Sequence, residues 1–206
     1  MKNDLICQSS EYDCGPTTLV NGIRYLFDRE EIPPAILKHI WTMGNDTFSD
    51  AGELGKHGTS KASMCYMACW FNAYAKGCGF PLHAEFLEDT SAVVEKEGTV
   101  TACLQSGGCA LVRCFTGKIP HYVLLTKLLP GDEIGLFDPY DEHPDFQGEG
   151  RRVVTGEPKA MNRAVRREYL NLEGRDQDYA MGPVDTREIL LMQRTEAKRC
   201  GSKTKE

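Results

Sequence analysis

The sequence changes character at Ser106-Gly107-Gly108, and that break limits the fold more than any other feature. Upstream of it, apolar residues recur at helical spacing in three series. Leu19, Val20, Ile23, Leu26 and Phe27 predict a helix over 17–27, and Ile36, Leu37, Ile40 and Trp41 one over 35–41. Met64, Met67, Ala68, Phe71 and Ala75 predict the clearest helix, over 60–76, ended by Gly77 and Gly79. Pro16 and Pro34 suit the first turns of the first two, where a missing N–H costs nothing. Downstream the runs are short and β-prone: 109–115, 121–128 and 133–137. Turn signals at Gly117-Lys118 and Pro130-Gly131-Asp132 separate them, which predicts an antiparallel meander. The unbroken run Val123-Leu124-Leu125 fits a central strand buried on both faces. Helices first and sheet second make this an α+β chain.

The remaining segments are less distinctive. Residues 82–87 read as a short strand, 90–97 as a helix capped by Thr90 or Ser91, and 99–105 as either helix or strand. Residues 43–59 hold Gly44, Gly52, Gly55 and Gly58 and read as a long loop, of the kind that forms lids or cleft walls. Beyond Asp138 the chain is acidic and turn-rich to Gly150, with further strand or mixed segments at 151–154, 164–172 and 187–192.

A length of 206 residues with 41% hydrophobic content supports one domain, expected to span 1–194. The polar tail 195–206 is expected to be flexible. A formal net charge of -6 argues against generic nucleic-acid binding. That charge is uneven: residues 1–150 carry 11 Lys+Arg against 21 Asp+Glu, and residues 151–206 carry 13 against 9. No apolar run approaches the roughly eighteen residues of a membrane span, and the N-terminus lacks the apolar core of a signal peptide. A cytoplasmic location is therefore expected, with the nine cysteines as free thiols, mostly small buried hydrophobes. Cys65 and Cys69 lie one helical turn apart, and Cys103, Cys109 and Cys114 cluster in sequence, but none is spaced as a paired zinc framework. Asp138, Asp141, Glu142 and Asp145 lack the regular spacing of a calcium loop. No metal and no cofactor is expected.

Chemistry concentrates at Cys14. Cys14-Gly15-Pro16 opens the first helix, where the positive end of the helix stabilises a thiolate. Gln8 stands near enough in sequence for the intervening loop to fold its carboxamide back toward the sulfur, as an oxyanion donor. A thiol nucleophile needs a base, and the base needs an orienting group. Of the five histidines, His39, His57, His83 and His143 lie in a helix, a Gly-rich loop, a strand start and an acidic loop. His121 differs, because it stands at the entrance to the most hydrophobic strand. Asp138 ends the next strand, and adjacent antiparallel strands bring the start of one beside the end of the other. His121 and Asp138 are thus expected at one sheet edge, with the carboxylate fixing the imidazole tautomer. Taken singly, each residue also has a structural reading: a buried cysteine, a core histidine, a turn-initiating Asp-Pro.

Together, Gln8, Asp13-Cys14-Gly15-Pro16, His121-Tyr122-Val123 and Asp138-Pro139 resemble the peptidase C39-like group of papain-like cysteine peptidases. That group includes double-glycine leader peptidases fused to bacteriocin exporters. The resemblance covers residues 5–140 in motif order. It implies a helical lobe carrying the nucleophile, packed on an antiparallel sheet carrying His and Asp. It also implies Cys14 as nucleophile, His121 as general base and acid, Asp138 as orienter, and Gln8 with the Cys14 N–H as oxyanion hole. No transporter domain follows within these residues; the loop 43–59 and the residues beyond Asp138, where substrate selection is expected to be set, lie outside the motifs, so double-glycine specificity does not carry over. The implied partner is a peptide or protein substrate, cleaved at a peptide or isopeptide bond. A thiol acyltransferase or transpeptidase would use the same parts, and a non-catalytic peptide-binding module the same fold. Oligomeric state is not legible.

Overall fold

The computed structural model describes residues 1–140 and 150–196. The end of the chain from residue 197, and with it most of the expected tail, lies outside the described residues, as do Asp141, Glu142, His143 and Asp145.

Three helices lead. Helix α1 (Cys14–Leu26) starts three residues earlier than its apolar series suggests, so Cys14 is its first residue and Pro16 lies in its first turn. Helix α2 (Pro34–Met43) has Pro34 at its start, and α3 (Lys61–Cys78) is capped by Ser60, whose hydroxyl accepts the Ser63 N–H. Gly77 is accommodated within α3, and the stop is Gly79, which takes the left-handed conformation (φ 69°) that glycine adopts at no steric cost.

A seven-stranded sheet follows, antiparallel in every pair, in the order β1-β7-β2-β3-β4-β6-β5. Its strands are β1 (Leu82–Glu88), β2 (Cys109–Thr116), β3 (Ile119–Leu129), β4 (Glu133–Phe137), β5 (Arg151–Val153), β6 (Arg163–Arg166) and β7 (Glu188–Arg194). The meander β2-β3-β4 is the one the turn chemistry predicts. Gly117 and Lys118 both have positive φ, the two-residue hairpin turn that matches strand twist. Strand β3 lies mid-sheet, and Val123, Leu124 and Leu125 are fully buried.

Each face of the sheet has its own core. Leu19 and Ile23 of α1, Phe27 just after it, and Met64, Met67 and Phe71 of α3 pack with Leu111, Leu124, Leu190 and Met192 on one face. Val112, Val123, Leu125 and Val165 carry the other face, covered by Val100 and Leu104 of α4 (Thr99–Gln105), Leu170 of α5 (Arg167–Leu170), Tyr179 and Met181.

The helix expected over 90–97 is absent. A single 3-10 turn spans Asp89–Ser91, after which the chain runs irregularly to Gly98. Ser91 turns its hydroxyl back on Glu88, and Asp89 has positive φ (53°), so neither starts an α-helix. Both main-chain groups of Val94 are then taken by the Asn171 carboxamide, at 3.0 and 2.9 Å, which leaves them unavailable to a helix. The stretch expected as strand or mixed over 164–172 resolves into β6 followed by the one-turn α5.

Candidate active site

Cys14 reaches the sheet because α1 lies across β2 and β3. The Thr18 hydroxyl donates to the Tyr122 carbonyl of β3 at 3.1 Å, one turn past Cys14 and one residue past His121. Asn21 holds the preceding segment with both ends of its carboxamide, accepting from Ile6 N–H (2.8 Å) and donating to the Ile6 carbonyl (2.9 Å). That clamp sets where the chain of Gln8 begins. At the helix start, Gly15 packs so closely on Thr59 that a Cβ there would sit 2.0 Å from its hydroxyl oxygen. Gly44 packs likewise on Pro16, where a Cβ would come within 2.8 Å of the proline Cβ. Asn45 donates to Asp13 at 3.0 Å. The long loop 43–59 is thus bolted to Asp13, Gly15 and Pro16, which flank the sulfur on either side.

His121, buried in β3, donates from Nε2 to Asp138 Oδ1 at 2.7 Å. Cys14 is the other side chain that acts on the ring. Burial is the strongest influence on His121 and acts to lower its pKa. The hydrogen bonds and negative charge of Asp138 and Cys14 outweigh burial and lift it to about 10. Asp138 is wholly buried, which alone would favour its neutral form. The bond and charge of His121, with donation from Tyr140 N–H and Tyr179 O–H, reverse this and hold it below the usual carboxylate range. The pair is therefore an imidazolium beside a carboxylate.

The chain is similar to solved peptidase domains. One is the peptidase domain of Streptococcus ComA, described as a bi-functional ABC transporter involved in a quorum sensing pathway. The TM-score is 0.46 at 13% identity, covering 93% of this chain and 98% of that one. The other is the peptidase domain of Streptococcus mutans ComA, with TM-score 0.40 and 12% identity, covering 92% and 98%. No family model matches the chain, and no curated protein does.

Gln8 is placed beside the same cluster: its N–H donates to the Pro139 carbonyl at 2.9 Å, one residue past Asp138. Its carboxamide Nε2 donates to Ser10 O at 2.8 Å, and Oε1 is buried without a hydrogen-bond partner. The structure thus joins His121 to Asp138, with Cys14 acting on the same ring, and ties the Gln8 main chain beside them while its carboxamide turns to Ser10. It adds two that sequence reasoning missed. Asn162 accepts the Asp138 N–H and donates to the Asp138 carbonyl, both at 2.8 Å, and Tyr179 donates its hydroxyl to Asp138 Oδ2 at 2.9 Å. Both follow Asp138 in the chain by more than twenty residues, outside the stretch the motifs cover, and neither carries a local signal.

Two other histidines have partners of their own. His39 stacks on Trp70 at 3.7 Å and bonds Tyr66, and His83 pairs with Gln193 across β1 and β7. Of the eight described cysteines, Cys103, Cys109 and Cys114 are buried like Cys14, while Cys7, Cys65, Cys69 and Cys78 are exposed. Among the described residues no three His, Cys, Asp or Glu side chains form a metal-binding group, and no helix is long and apolar enough to cross a membrane.

Proposed function

We propose that the chain is a cysteine peptidase-like hydrolase acting on a peptide or isopeptide bond. The observation that carries this reading is the 2.7 Å hydrogen bond from His121 to the buried Asp138, with Cys14, at the first position of α1, acting on the same ring. The Cys14 thiolate, paired with the His121 imidazolium, attacks the substrate carbonyl carbon. The carbonyl π electrons move onto oxygen, giving a tetrahedral oxyanion. The Cys14 N–H suits that oxyanion, because the first N–H groups of a helix have no partner within it. Gln8 supplies the second donor through the amide hydrogen not committed to Ser10, and each such donor lowers the barrier by about 3 kcal/mol.

The C–N bond then breaks as His121 gives its proton to the departing amine, leaving an acyl thioester on Cys14. Water attacks this ester while His121 takes its proton, and the acid product leaves a free Cys14. Asp138 holds the ring in the tautomer that does both tasks.

The test is alkylation by iodoacetamide with peptide mapping, because Cys7, Cys65, Cys69 and Cys78 serve as exposed internal controls. Cys14 should label faster than any of the four, His121→Ala should remove that advantage, and Asp138→Asn should reduce it. Loss of turnover in Cys14→Ala over a peptide library completes the assignment. If Cys14 labels no faster than the controls and its rate ignores His121, the reading fails.

A further inference from the structure

Asp138 is fully buried, and a buried carboxylate stays charged only where donors reach its oxygens. Oδ1 has two, His121 Nε2–H at 2.7 Å and Tyr140 N–H at 2.8 Å. Oδ2 is reached by the Tyr179 hydroxyl at 2.9 Å. We propose that Tyr179 is a positioning residue for this site, whose hydroxyl anchors Oδ2 and so keeps Oδ1 turned toward His121. The proposal rests on the peptidase reading above and extends it to a residue forty-one positions beyond Asp138.

The backbone supports a placed residue rather than incidental packing. Tyr179 has φ 68°, a left-handed conformation that bulky side chains avoid, and its side chain is fully buried. It is held there by the end of β2: Tyr179 N–H donates to the Phe115 carbonyl and Phe115 N–H to the Ala180 carbonyl, each at 2.8 Å. Phe115 follows Cys114, which pairs with His121 across β2 and β3. The strand neighbouring His121 therefore fixes the tyrosine, and the tyrosine fixes the carboxylate that His121 uses. Asn162 locks the Asp138 backbone from the β6 side, and His121 with Tyr140 N–H engages Oδ1, so Oδ2 is the atom that Tyr179 anchors.

The ionisable groups around this carboxylate are His121 from β3, Cys14 from α1, Cys114 from β2 and Tyr179 itself, with Arg163 of β6 acting on Tyr179. Tyr179→Phe deletes only the hydroxyl. Losing a donor to the ionised form makes the carboxylate easier to protonate, so the Asp138 midpoint should rise by about one pH unit. The midpoint is read from its carboxyl carbon resonance. The acid limb of the Cys14 alkylation profile should move up with it. Site-specific 3-fluorotyrosine at 179, a stronger donor of nearly the same shape, should move both downward, and it decides the matter should Tyr179→Phe not fold. A merely structural role would change the urea midpoint without these opposed shifts. Unmoved Asp138 and alkylation midpoints, with His121→Ala still slowing Cys14, would overturn the role of Tyr179 alone. Alkylation indifferent to His121 would instead overturn the peptidase reading.

Discussion

Gly15→Ala tests how the site is assembled without relying on any activity. In an isolated helix the change is favourable, since alanine is better than glycine by up to about 1 kcal/mol. Here the new Cβ would meet Thr59 Oγ1 at 2.0 Å and Thr59 Cβ at 2.6 Å, far inside normal contact. Rotation would take the Oγ1 end away, but the Thr59 Cβ moves only with its backbone. That backbone is tethered on either side, because the Gly58 carbonyl accepts the Thr47 hydroxyl and the Ser60 N–H donates to Asp46 Oδ1. Forcing extra volume into such a contact costs about 1–3 kcal/mol. The upper part of that range applies, and it exceeds the gain in propensity. We expect a net loss of about 2 kcal/mol, or a fall in Tm of roughly 4–8 °C for a chain of this size. Urea denaturation measures the first and calorimetry the second. The Cys14 alkylation rate should change in the same variant, since the displaced contact flanks the sulfur. A second substitution sharpens the test. Thr59→Gly should restore stability in the Gly15→Ala background, whereas Thr59→Ala should not, because it keeps the offending Cβ. The two should therefore be strongly coupled in a double-mutant cycle. Gly15→Ala at or above the wild-type stability would refute the packing argument.

Other outcomes follow from the buried charges. His121 binds its proton up to about 10 when folded, against 6.5 for a free imidazole, so its contribution to stability is complete below pH 6.5 and is lost as pH rises toward 10. Urea midpoints between pH 6 and 10 should show that fall, and a shallower one in Asp138→Asn; a flat wild-type profile would rule out the charged pair. Glu188 is 2% exposed, donated to by the Tyr122 hydroxyl through one oxygen, and burial raises its pKa. A raised acid destabilises the fold where it is ionised, so Glu188→Gln should add stability at pH 7 and little below pH 4, by the same urea measurement. Ser60→Ala removes the cap of α3 and the bond from Ser60 to Asp46, and should lower stability by about 1 kcal/mol.

How much was readable in advance depended on how local each interaction is. The β2-β3-β4 meander is written into neighbouring residues: apolar runs, a Gly117-Lys118 turn and a Pro130-Gly131-Asp132 turn. Its strands pair with the segments next to them, so His121 and Asp138 met as expected. Residues 90–97 failed because their caps and spacing suit a helix, while Asn171, some seventy-seven residues away, claims the main chain of Val94. Strand β7 was anticipated as a segment but not in position. It crosses the sheet to lie between β1 and β2, and nothing within Glu188–Arg194 specifies those neighbours.

The sequence by itself determined the helix that presents Cys14, the sheet edge that joins His121 to Asp138, and the α+β class. Each rests on periodicity, turn chemistry or hairpin geometry within a few tens of residues. Only the tertiary structure decided that Thr59 seats against Gly15, that Asn162 grips the Asp138 backbone, and that Tyr179 takes its second oxygen. These contacts join segments far apart in the chain. Their residue types are common at many positions, and it is the closing of the sheet and loops that makes these particular ones neighbours.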